Sequence, residues 1–121
     1  MSTEAEESFR ELASSQLGQF ETPWFKYFIQ YDPREDLSQA QCPVLAMIGE
    51  HDLQVLVEPN LQALKQALAD AGVAGSRCER LAGLNHLFQE SETGLPTEYG
   101  TIEQTFAPQA LEMIADWISA H

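Results

Sequence analysis

Six consecutive residues, Pro43-Val44-Leu45-Ala46-Met47-Ile48, are apolar without interruption, and the run stops at Gly49. Successive side chains of a strand point to opposite faces, so a short run without alternation marks a strand covered on both sides. Such a strand belongs in a parallel sheet, and a parallel neighbour is reached only through a crossover of a dozen or more residues. The chain supplies that crossover. A loop over residues 50–57 leads into a helical pattern from about 59 to 71, with Leu61, Leu64, Ala67, Leu68 and Ala71 spaced for one face and Gly72 as its stop. The weaker, alternating run Ser76-Arg77-Cys78-Glu79-Arg80-Leu81 follows, and its charges suit the edge of a sheet. The expected fold class is α/β, built on one βαβ unit with flanking helices.

Those flanks are readable too. Phe9, Leu12, Ala13, Gln16 and Leu17 share a helical face, with Gly18 as a stop. Thr22 followed by Pro23 reads as the start of a second helix, and Asp32-Pro33 as its end. The segment between holds Trp24, Phe25, Tyr27, Phe28 and Tyr31, a density that calls for a large apolar partner surface. Residues 37–41 suit one polar turn. The stretch 83–100 is a loop of functional length, and a last helix over about 108–119 should turn Leu111, Ile114, Ala115 and Ile118 inward.

At 121 residues the chain has the size of one domain. Nineteen acidic against six basic residues give a net charge of −13, which repels phosphate backbones and anionic membranes. Nucleic acid and membrane are therefore poor partners. No apolar stretch approaches the roughly 20 residues of a membrane helix. No basic region with an apolar run opens the chain, so the expected location is cytoplasmic. Cys42 and Cys78 each fall at or within an expected strand, where buried free thiols are commoner than bridges.

Two loops leave the C-terminal ends of the expected strands, the edge at which open parallel sheets bind ligands. The first reads Gly49-Glu50-His51-Asp52-Leu53-Gln54-Val55 and the second Gly83-Leu84-Asn85-His86-Leu87-Phe88. If the strands are neighbours, Asp52 and His86 emerge side by side. A carboxylate beside an imidazole fixes its tautomer and stabilises the imidazolium formed during proton transfer. A lone loop carboxylate is more often a solvated turn residue; the pairing is what singles Asp52 out. His51 reads as a solvated loop histidine. The set His51, Asp52 and His86 lacks recognised metal-ligand spacing, and no metal or cofactor is expected. Glu98, Glu103 and Glu112 read as solvated, and Asn85 either braces its loop or occupies a turn.

At these residues the chain resembles a known family. The stretches Pro23-Trp24-Phe25-Lys26-Tyr27-Phe28, Tyr31-Asp32-Pro33, Cys42-Pro43-Val44-Leu45-Ala46, the two loops above, Glu98-Tyr99, Ile102-Glu103-Gln104-Thr105-Phe106 and Ala115-Asp116-Trp117-Ile118 are similar to the last third of a bacterial α/β-hydrolase of the esterase and acyl-peptidase-like kind. The resemblance implies a C-terminal segment: the last two parallel strands of the hydrolase sheet with flanking helices. Residues 1–31 would correspond to the end of a helical cap and 32–121 to the βαβα part of the core. In the family the triad runs serine, acid, histidine along the chain. The acid falls on Asp52 and the histidine on His86. The nucleophile elbow, Gly-x-Ser-x-Gly, occurs nowhere in the sequence.

Two functions follow from different classes. In the first, the chain is the acid–base part of a serine hydrolase acting on esters or amides, inactive alone, either a fragment of a longer polypeptide or one half of a split enzyme whose serine comes from a complementary N-terminal half. In the second, it is a non-catalytic oligomeric or binding protein derived from a truncated hydrolase gene. In either case the apolar strand lacks an expected neighbour, so a homodimer through the open sheet edge is anticipated.

Overall fold

A computed structural model of the chain describes Glu7, Ser14 and residues 17–121, without the side chain of Gln19. The chain divides into two units, Met1–Asp32 and Pro33–His121. The helix expected from Phe9 lies outside the described residues except at Ser14 and Leu17, both helical. The α-helical stretch ends at Gly18, and a single 3-10 turn, Gln19–Glu21, follows.

In the first unit α1 spans Pro23–Gln30. The Phe25 N–H donates to Thr22 Oγ1 at 3.2 Å, satisfying one of the donors every helix start leaves open. Pro23 occupies the first turn, where its missing N–H costs nothing. The aromatic rings pack mainly on one another. Trp24 stacks on Phe28 with centroids 5.4 Å apart, and Phe20 meets Phe25 edge-on at 4.7 Å. Trp24, Tyr27, Phe28 and Ile29 are exposed and no residue of α1 is buried, so among the described residues of this unit no large apolar surface covers them.

The second unit opens with a short helix, α2 (Pro33–Leu37), which the sequence did not lead us to expect because proline was read there only as a terminator. Proline equally suits a first helical position. Strand β1 (Leu45–Gly49) leads through α3 (Val57–Ala71) to β2 (Arg77–Leu81), and the strands pair in parallel with Leu45 opposite Arg77 and Gly49 opposite Leu81. The fold is thus mixed α/β on a two-stranded parallel sheet. Helix α3 buries Leu61, Ala67 and Leu68, and Gly72 ends it in the left-handed conformation at φ 66°. Its start precedes Pro59 by two residues, so the proline sits within the first turn. Cys42 is exposed and Cys78 half-buried; both are free thiols.

The core gathers Leu81, Leu84, Ala107 and Ala110, with Met47, Phe88, Phe106 and Met113 against it. Helix α4 (Pro108–Ser119) therefore docks through a face rotated from the expected one, sharing only the half-buried Ile114 with it. Ala107 and Ala110 are fully buried, whereas Leu111 and Ile118 are more than half exposed and Ala115 is exposed. The indole N–H of Trp117 donates to the Gly75 carbonyl at 3.2 Å and fixes the far end of the docking face. Small residues win the contact because they let the helix backbone approach closely. Among the described residues no helix is long and apolar enough to cross a membrane.

Candidate functional site

Parallel pairing puts the C-terminal ends of β1 and β2 side by side, and the two loops knit together there. The Glu50 N–H donates to the Leu81 carbonyl and the His51 N–H to the Leu84 carbonyl, each at 2.8 Å. Gly49 is what permits this. A Cβ on it would lie 2.3 Å from the Leu84 carbonyl oxygen and 2.5 Å from that of Asn85. Gly49 therefore serves close approach, whereas Gly83, at φ 69°, serves the sharp turn.

Asn85 braces the second loop from inside. Fully buried, it accepts the N–H groups of Leu87 at 2.9 Å and Gln89 at 3.0 Å through Oδ1, and donates through Nδ2 to Gln89 Oε1 at 3.1 Å. Phe88 completes the turn at φ 55°, a conformation that non-glycine residues seldom take, and its carbonyl accepts the Ala107 N–H at 2.7 Å. His86 is held on this frame.

Asp52 and His86 meet directly. His86 Nδ1 lies 2.9 Å from Asp52 Oδ2, while Asp52 Oδ1 accepts the N–H groups of Gln54 and Val55, both at 2.9 Å. Asp52 is buried and the His86 side chain is 35 % exposed, so the acid is sheltered and the imidazole is reachable. Burial pushes the Asp52 carboxyl up, but the Val55 N–H, the His86 hydrogen bond and the Gln54 N–H outweigh it and hold the group below its ordinary value. Facing an ionised carboxylate, Nδ1 carries the proton and Nε2 keeps its lone pair. Among the described residues Nε2 has no hydrogen-bond partner. The arrangement can take a proton from a hydroxyl placed at Nε2 and return it to a leaving group.

Two residues read as solvated are structural instead. His51 is half-buried, and its Nδ1 lies 2.9 Å from the Ser91 carbonyl and 3.3 Å from Ser91 Oγ. Glu98 accepts the N–H groups of Thr93 at 3.1 Å and Gly94 at 3.0 Å. Desolvation pushes its carboxyl up, but the bonds from the Thr93 side chain and from the Thr93 and Gly94 N–H groups prevail and hold it below the ordinary glutamate value. Gln54 Nε2 donates to the Tyr99 hydroxyl at 2.7 Å. Only the length of the loop and its glycine hinted at this second layer. Among the described residues no group of three or more His, Cys, Asp or Glu is placed to hold a metal ion. Compared with known proteins, the chain matches no family model, no curated protein and no solved structure.

Proposed function

We propose that the chain is the C-terminal, acid–base part of an α/β-hydrolase-fold serine hydrolase, acting on esters or amides once a nucleophile is supplied. The observation that carries this reading is the 2.9 Å bond between His86 Nδ1 and the buried Asp52 carboxylate, with Nε2 left open. The chain order acid-then-histidine, each after a parallel strand, agrees with the family pattern. Asp52 orients the imidazole and stabilises its charged form; His86 is the proton shuttle. A serine on a Gly-x-Ser-x-Gly elbow outside this sequence attacks the carbonyl, and oxyanion donors worth about 2.7–4 kcal/mol each come from the same missing part.

The test has two arms. The isolated chain should hydrolyse activated aryl esters no faster than buffer and should not label with a fluorophosphonate. Co-expressed with the polypeptide encoded immediately upstream at its own locus, it should form a complex whose elbow serine labels. A locus without any Gly-x-Ser-x-Gly frame, or labelling of a serine within this chain, contradicts the proposal, and the first result favours the non-catalytic binding protein.

A further inference from the structure

The acid of the dyad is held by a turn whose own position is not set by the sheet alone. Asp52 Oδ1 is fixed by the N–H groups of Gln54 and Val55, so the placement of Oδ2 against His86 depends on where residues 51–55 sit. That turn is gripped from outside by the long loop after β2. Gly94 lies on the His51 backbone so closely that a Cβ would fall 1.9 Å from the His51 carbonyl oxygen, and its φ of 75° also favours glycine. The Ser91 carbonyl takes the His51 ring N–H, and the Tyr99 hydroxyl takes the Gln54 amide. Glu98 closes the grip on itself by accepting the N–H groups of Thr93 and Gly94. The loop thus touches His51 before the Asp52 carboxylate and Gln54 after it, through backbone shape as well as side chains.

We propose that residues 91–99 form a clasp that holds the Asp52 turn in register with His86, with Gly94, Glu98 and Tyr99 as positioning residues for the dyad. This rests on the proposed function only for the use to which the dyad is put; the clasp itself is a statement about which nitrogen of His86 carries the proton. Free imidazole exchanges between two neutral tautomers, and the Asp52 carboxylate selects the Nδ1–H form only while Oδ2 stays within hydrogen-bond reach. Loosening the clasp lengthens that contact and returns His86 to a mixture.

The experiment is a long-range proton–nitrogen NMR spectrum of the His86 ring in the full chain, recorded well above the ordinary histidine pKa of about 6.5. The wild-type chain should show the Nδ1–H tautomer. Gly94→Ala should lose it, with the amide signals of β1 and β2 unchanged. Tyr99→Phe and Glu98→Gln leave the loop backbone free of any new atom contact; they should shift the balance in the same direction and carry the test if Gly94→Ala does not fold. An Nδ1–H signal that survives in every folded variant overturns the clasp while leaving the dyad intact. A wild-type His86 with its proton on Nε2 overturns the dyad reading and the clasp together.

Discussion

Asp52 and Asn85 show how differently two buried polar residues can work. Asp52 is ionised because three hydrogen bonds outweigh its burial, and that choice has a consequence for stability. Its folded pKa is depressed, so its contribution is present above the ordinary value of 3.8 and is lost as pH falls from there through the folded value. Urea melts across that acid range should lose stability faster for the wild-type chain than for Asp52→Asn; parallel curves would contradict the assignment. Asn85 is neutral and acts as scaffold. Asn85→Ala strands the N–H groups of Leu87 and Gln89, so it should cost about 2–6 kcal/mol in the same melts, at about 1–3 kcal/mol per stranded donor. The pairing of Asp52 with His86 was legible in the sequence because each follows a strand-ending motif by a few residues. The roles of His51, Ser91 and Glu98 were not, because their partners are up to 40 residues away and are largely backbone groups without a sequence signature.

Elements whose ends are written in local chemistry were legible: the Thr22–Pro23 start of α1, the Gly72 stop of α3 and the Pro108 start of α4. The docking face of α4 was not. The helix carries two apolar stripes, and counting Leu and Ile favours Leu111, Ile114 and Ile118, of which only Ile114 is half-buried, whereas the core takes the smaller Ala107 and Ala110. Periodicity locates stripes but does not say which one a neighbour covers. Leu111→Gln with Ile118→Gln should therefore change stability by no more than about 0.5 kcal/mol per site, while Ala110→Leu, forced into a filled contact, should cost about 1–3 kcal/mol. Equal effects in thermal melts would mean that the helix docks through the other stripe.

On the scale of the molecule, two strands are few for a stable sheet. Strand β1 pairs only with β2 among the described residues, and its other edge carries backbone donors and acceptors able to template a further strand. We expect two copies to join these edges across a two-fold axis at micromolar concentration. A net charge of −13 opposes that pairing, and salt screens it over about 10 Å at 0.1 M, so association should tighten as salt rises. Sedimentation should then return twice the 13.5 kDa chain mass; a monomer at high concentration and moderate salt would count against an open edge.

On the proposed function, the dyad is tested most directly by turnover in the complex expected with the upstream-encoded polypeptide. Single-turnover ester hydrolysis should fall about 10⁴-fold for Asp52→Asn, the size of loss expected when a triad histidine is left in the wrong tautomer. His86→Ala should abolish most of the remaining enhancement. Hydrolysis that proceeds at the full rate with either residue replaced would contradict the assignment of Asp52 and His86 as the general-base pair.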